Sequence, residues 1–373
     1  MESRSNSSSP GGPAHLSVQQ TLDLVQSNDT DAKIRAAQEI RRLTKTSQLC
    51  RRQLSAAIPP LVSMLRADSL DCKESALLAL LNLAVKDEKN KISIAAAGAL
   101  DLITQFLQTD SGSLQEYATT SILTLSASSA NKPTISAYGV IPLLVKVLGH
   151  GTPQAKVDAV MALYNLLTHS DNIHLTLPAN PVPSILNLLK SCRKSSRTAE
   201  KCTALLESLL VSDQARDALV SEEGGVLAVV EVLEGGSLRS REHAVGALLI
   251  MCESDRRKYR EPILREGVIP GLLELTVQGT PKAQSKAKAL LQLLRESPYP
   301  RSEVQPDTLE NIVCNIISQI DGDDQSGKAK KMLAEMVQVS MEQSLRHLQK
   351  RALICTTPAD LQIASCASEV SSK

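Results

Sequence analysis

Residues 131–148 read NKPTISAYGVIPLLVKVL, and the same unit closes at 159–166 with AVMALYNL. In the first half, Pro142 opens an apolar run, Leu143, Leu144, Val147 and Leu148, whose spacing lays one face along a helix. Proline suits that opening because the first helical turn has N–H groups with no intrahelical acceptor. Gly139 just upstream allows the backbone a sharp corner that other residues avoid. In the second half, Ala159, Leu163 and Leu166 stand at offsets 0, +4 and +7, a short buried stripe on a longer helix.

Working outward, both halves return. Ile58-Pro59-Pro60-Leu61 and Val268-Ile269-Pro270-Gly271-Leu272 repeat the proline element, and Pro183 stands at the same point of another unit. The triplet recurs as Ala36, Ile40, Leu43; Ala76, Leu80, Leu83; Ala118, Ile122, Leu125; Cys202, Leu206, Leu209; Ala244, Leu248, Met251; and Ala287, Leu291, Leu294. Counting from each small residue to the next, the spacings are 40, 42, 41, 43, 42 and 43. Corner glycines are expected at Gly98, Gly139, Gly225 and Gly267, so each repeat reads as a short helix, a turn and two longer helices. One such unit cannot bury its apolar face alone, whereas stacked copies share a continuous core. The expected fold is therefore all-α: a right-handed superhelical solenoid of about seven repeats with a long concave surface.

Composition agrees. Of the 373 residues 42% are hydrophobic, yet there is no Trp, one Phe (Phe106) and five Tyr, so the core must be aliphatic, as close helix stacking requires. Forty-one cations against forty anions leave a net charge of +1, which supplies no whole-chain field for nucleic acid. The eight cysteines form no Cys-x-x-Cys pair and read as buried reduced thiols. With no signal-like apolar core near the start and no membrane-length apolar run, cytoplasm is expected, with the nucleus as a second compartment.

The wording of the repeats resembles the armadillo family, in which Asn-x-x-x-Ile-x-x-x-Gly-x-Ile-Pro-x-Leu leads to Ala-Leu-x-x-Leu-x-Asn-Leu. Asn90, Lys91, Ile94, Gly98 and Asn131, Lys132, Ile135, Gly139 follow it, as do Leu80-Leu81-Asn82-Leu83 and Leu163-Tyr164-Asn165-Leu166. The likeness covers about residues 17–297 and is nearest to the armadillo region of plant U-box ubiquitin ligases. In those ligases the solenoid selects a substrate or a receptor-kinase partner while a U-box recruits the ubiquitin-charged enzyme. A U-box needs about seventy residues by the same resemblance, and none is expected in the short stretch before the first repeat. Ala56 replaces the consensus Gly, and Pro178 to Pro183 interrupts the junction before the fifth repeat, where a kink is expected.

The expected organisation is a low-complexity tail at 1–15 with a Ser9-Pro10 phosphorylation motif, the solenoid at 16–297, a proline-rich linker at 298–306, C-terminal helices at 307–354 and a second tail at 355–373. The stripe Leu309, Ile312, Val313, Ile316, Ile317, Ile320 suits a helix that caps the exposed end of the array, with separate partner binding as the alternative. Asp321-Gly322-Asp323-Asp324 is not a calcium loop, because Ser326 and Met332 stand where Gly and a bidentate Glu are needed. Phosphate loops, zinc-protease and nucleophile-elbow motifs are absent, so no catalytic residue, cofactor or metal is expected. The basic run Arg256-Arg257-Lys258-Tyr259-Arg260 reads as a solvated loop in preference to a nuclear address.

Function then falls to the concave surface. Positions one before and six after each small residue should face it: Arg35, Arg42; Ser75, Asn82; Tyr117, Thr124; Asp158, Asn165; Lys201, Ser208; His243, Ile250; and Lys286, Leu293. The resemblance implies that Asn82 and Asn165 hydrogen-bond the backbone of an extended partner, since an amide offers both donor and acceptor. A structural role between helix ends is the competing reading. An importin-like receptor for basic peptides would need Trp where Leu78 and Met161 stand. With Asp158 among Arg35, Arg42, Lys201 and Lys286, the groove reads as mixed in charge. A monomeric scaffold that binds extended protein segments or helices, with neither nucleic acid nor membrane insertion, is the expected function. The alternatives are ligase activity without a recognised U-box and nuclear import.

Overall fold

A computed structural model describes residues 17–168 and 172–295; the expectations for the two tails, Ser9, the linker and the C-terminal helices lie outside the described residues. Among the described residues all regular structure is helical. Seven inner helices carry the triplets: Thr30–Thr44, Leu70–Ala84, Gly112–Ser126, Pro153–Leu167, Arg197–Leu209, Leu238–Ser254 and Pro281–Leu294. Most open on a hydrogen-bonding cap. Asp29, Ser69, Thr152, Ser196, Ser237 and Thr280 each accept a backbone N–H of the first turn, a contribution of about 1 kcal/mol apiece.

Each inner helix packs on the inner helix of the next repeat, and the substantial helix contacts run only within a repeat or between neighbours. That is the solenoid in physical terms: one aliphatic core extended along an axis. In the five interior repeats every member of the triplet is buried. At the two ends of the described array Leu43 and Leu291 are only partly covered, since the first and last described repeats have a described neighbour on one side only.

The corners correct the sequence reading in detail. Gly98, Gly139 and Gly267 take left-handed φ values of 82°, 69° and 72°, but in the sixth repeat that role belongs to Gly224 at 64°, not to Gly225. Gly225 has a different reason to be glycine: a Cβ there would lie 2.1 Å from the carbonyl oxygen of Leu219. At the irregular fifth junction Asn180 adopts the left-handed turn, with φ 45°, as one of the few side chains that tolerate it. Where Ala56 replaces glycine, the tight turn Leu54–Ala57 runs directly into helix Ile58–Met64.

The structure also explains the consensus asparagines. Asn90 donates to the carbonyls of Leu83 and Arg51, and Asn131 to those of Leu125 and Lys91, so each ties off the end of the preceding inner helix. In the sixth repeat Arg216 does the same at Leu210 and Val211. The basic run is not a solvated loop. It forms helix Arg256–Arg265, and Arg256 and Arg260 reach the carbonyls of Leu293, Arg295 and Leu294 at 2.5, 2.6 and 2.8 Å. Its charges satisfy the unpaired end of the last described inner helix.

Candidate partner-binding groove

The inner helices turn a row of side chains toward one another along the array. Between the first two repeats Asp31, Ile34, Gln38, Arg41, Asp71, Glu74, Ser75 and Leu78 line an open cavity of about 430 Å³. From the second to the fifth repeat a second open cavity of about 500 Å³ brings together Thr124, Asn165 and Lys201 with Leu123, Met161, Lys86 and Arg197. Three of the residues expected from sequence thus share one groove. Leu78 and Met161, two after the small residue, line these cavities as well.

Asn82 and Asn165 both bond within the fold. The amide nitrogen of Asn82 donates to the carbonyl of Arg41 at 2.9 Å. That of Asn165 donates to Ser126 Oγ at 3.2 Å and, at 3.4 Å, to the carbonyl of Leu123. These bonds join neighbouring inner helices, the structural role. Both side-chain carbonyls lack a donor among the described residues and remain able to accept one.

Other expected residues are committed elsewhere. Asp158 is buried: Thr120 donates to it at 2.5 Å and Gln154 at 2.9 Å, so it ties helices together and does not interrupt the groove's charge. Tyr117 is half-buried against the core, as are Ile250 and Leu293. Thr124 and Ser208 donate to the carbonyls of Thr120 and Ala204 within their own helices. At the first repeat Arg35 lies 3.8 Å from Asp29, and Arg42 makes a two-pronged pair with Glu39.

The far end is closed on itself. Glu207 accepts from Lys286 at 2.5 Å and is 2.6 Å from His243 Nδ1, which joins three successive inner helices and skips a repeat between Glu207 and Lys286. Gly246 makes this geometry available, since a Cβ there would sit 1.9 Å from Glu207 Oε1. Burial alone would raise the Glu207 pKa, but hydrogen bonds and charge from His243 and Lys286 hold it below the ordinary carboxylate value. His243 and Lys286 are therefore engaged within the fold.

A pairing that sequence reasoning missed recurs at two junctions. At each, the residue before the small position meets the residue five after the small position of the preceding repeat. Lys201 Nζ stacks 3.8 Å from the centre of the Tyr164 ring, and His243 pairs with Glu207. A second set of bonds also links neighbouring repeats. Ser113, Thr152 and Thr280 each donate at 2.5 Å to Glu74, Glu116 and Glu242 of the preceding repeat. Glutamate two before the small residue, with Ser or Thr 36–39 residues on, was the signal available for it.

Among the described residues no group of three or more His, Cys, Asp or Glu side chains could hold a metal ion, and no helix is long and apolar enough to cross a membrane. Stacked helical repeats with a shared aliphatic core and a lined concave groove define an armadillo-repeat solenoid. The family model for the plant U-box protein ARM repeat region matches residues 17–314, and the chain belongs to that family. U-box domain-containing proteins 45 and 17 of Arabidopsis thaliana are 32% and 34% identical to it over 271 and 279 residues. Those matches cover 71% and 72% of this chain but only 35% and 37% of the relatives, so it spans about a third of their length. Among solved structures, the crystal structure of an engineered protein has a TM-score of 0.59 at 17% identity, covering 89% of this chain and 88% of that one. A designed armadillo repeat protein has a TM-score of 0.47 at 18% identity, covering 75% of this chain and all of its own. Fold and family are those of a protein-interaction scaffold.

Proposed function

We propose that the chain recognises a partner protein by gripping an extended segment of it along the concave groove. The observation that carries this reading is the single open cavity lined by Thr124, Asn165 and Lys201 from three successive repeats. An extended segment laid along it meets equivalent positions one after another, so weak contacts multiply. The free side-chain carbonyls of Asn82 and Asn165 accept backbone N–H groups of the segment, while Leu123 and Met161 take its apolar side chains.

Because the relatives are U-box domain-containing proteins by name, we assign the array to the recognition side of a ubiquitin pathway, with a receptor-kinase segment or a ligase substrate as partner. A receptor for basic nuclear-import signals is disfavoured by the cations of the middle groove.

The test selects peptides of roughly 12 residues, an extended reach of about 40 Å, from a random library displayed against the full chain. Selected peptides are then titrated against wild type and against Asn82→Ala with Asn165→Ala. The double variant should lose about tenfold to a hundredfold in affinity, on the order of 1–3 kcal/mol, with helicity retained. Unchanged affinity, together with loss of binding when Leu273 and Val277 on an exposed helix face are replaced by Asp, would place the site elsewhere.

A further inference from the structure

We infer that the middle of the groove is built for an acidic segment, with Lys86 and Arg197 as the cations that receive its carboxylates; this deepens the groove reading above and rests on it. Every ionisable side chain lining the middle cavity is a cation: Lys86, Lys91, Arg197 and Lys201. Two of them already have carboxylate neighbours, Lys91 with Glu88 at 3.3 Å and Lys201 with Glu200 at 3.2 Å. Lys86 and Arg197 are exposed and have no ion-pair partner among the described residues.

The charge is segregated along the axis. Asp31, Asp71 and Glu74 outnumber Arg41 in the cavity of the first two repeats, and at the far end Glu207 is held between His243 and Lys286. A carboxylate-bearing segment is repelled at the first station, attracted at the second and unrewarded at the third.

The backbone adds an independent sign. Lys86 has a φ of 55°, a left-handed conformation that is strained for a residue with a side chain and that glycine adopts freely. At this turn Lys86 forgoes the backbone ease of glycine and sets an exposed charge on the lining of the groove. The occupant we assign is an extended segment of a partner protein whose Asp or Glu side chains meet Lys86 and Arg197, with its apolar side chains on Leu123 and Met161 between them.

The peptide selection described above also tests this assignment. Selected sequences should be richer in Asp and Glu than the input library. Their affinity for Lys86→Gly with Arg197→Gln should fall about tenfold or more, and raising the salt should reproduce part of the loss. Lys86→Gly relieves the left-handed turn, so the melting temperature should hold or rise and the loss cannot be ascribed to unfolding. Arg257→Gln with Arg265→Gln removes equal charge from exposed positions of the seventh repeat and should leave binding unchanged. Selected peptides without acidic enrichment, or indifferent to the Lys86 and Arg197 changes, overturn the assignment. If such peptides still need Asn82 and Asn165, the groove reading stands and only the partner's charge class falls. If they need neither pair, or if no peptide is selected, both fall.

Discussion

Tyr164 with Lys201 and Glu207 with His243 stand at the same repeat positions, yet the groove beside the first pair is open and that beside the second is spent on itself. In the open part, Met161 stands two after the small residue and Lys201 rests on the Tyr164 ring. In the closed part glycine stands at that position, and Glu207 passes over Gly246 to reach Lys286 in the repeat beyond. What a solenoid can bind is thus set less by the repeat than by whether neighbouring repeats satisfy each other first. A polar atom satisfied across a junction serves the structure, and one left without a partner there can still accept or donate to something else.

The largest expected effect guards this comparison against a difference in packing. Leu163 beneath the open groove and Leu248 beneath the closed one are both fully buried, so alanine at either should cost about 2–5 kcal/mol in urea unfolding. Markedly unequal costs would mean that the two regions differ in their cores and not merely in their grooves.

Next comes the tie itself. Glu207→Ala leaves Lys286 and His243 without their shared carboxylate and should destabilise the protein by about 1–2 kcal/mol, with faster amide exchange in repeats five to seven. Peptide binding in the middle groove should not change; a large change there would erase the boundary between the two regions.

A smaller effect concerns pH. Since Glu207 titrates below its ordinary value of 4.5 in the folded protein, its stabilisation is present above that pH and is lost as pH falls further below it. The stability gap between wild type and Glu207→Gln should therefore narrow on acidification from pH 7. A gap that widens would contradict the depressed carboxylate.

The smallest effect is Gly246→Ala. Alanine gains up to about 1 kcal/mol in helix propensity, but its Cβ forces Glu207 and Lys286 apart, so net stability should move by less than about 1 kcal/mol. Amide exchange should nonetheless quicken in the seventh repeat. Unaltered exchange would show that the tie does not depend on the glycine.

These details mark where sequence reading stops. The seven inner helices were legible because a stripe at 0, +4 and +7 has one structural solution, and its period of 40 to 43 residues demands stacking. The facing of Thr124, Asn165 and Lys201 follows from the same geometry. Asp158 and His243 were misjudged because periodicity tells which way a side chain leaves its helix and nothing of what waits for it 36 to 38 residues away. Gly224 against Gly225 is a one-residue ambiguity between a left-handed turn and a close backbone approach, both of which select glycine. Arg256 and Arg260 were read as solvated because no run of charges announces that the carbonyls of the final inner helix lie within its reach.

The Glu207–Lys286 link also bears on how the array responds to tension. A solenoid pulled at its ends lengthens by opening the angle between neighbours, and at most junctions here packing and hydrogen bonds between adjacent repeats resist. Across the fifth, sixth and seventh repeats one carboxylate spans two junctions at once, like a tie-rod beneath an arch. Strain applied to the chain should therefore gather in the earlier repeats, which have no tie of that span among the described residues. The stretch proposed to hold a partner should then also be the stretch whose spacing adjusts to it.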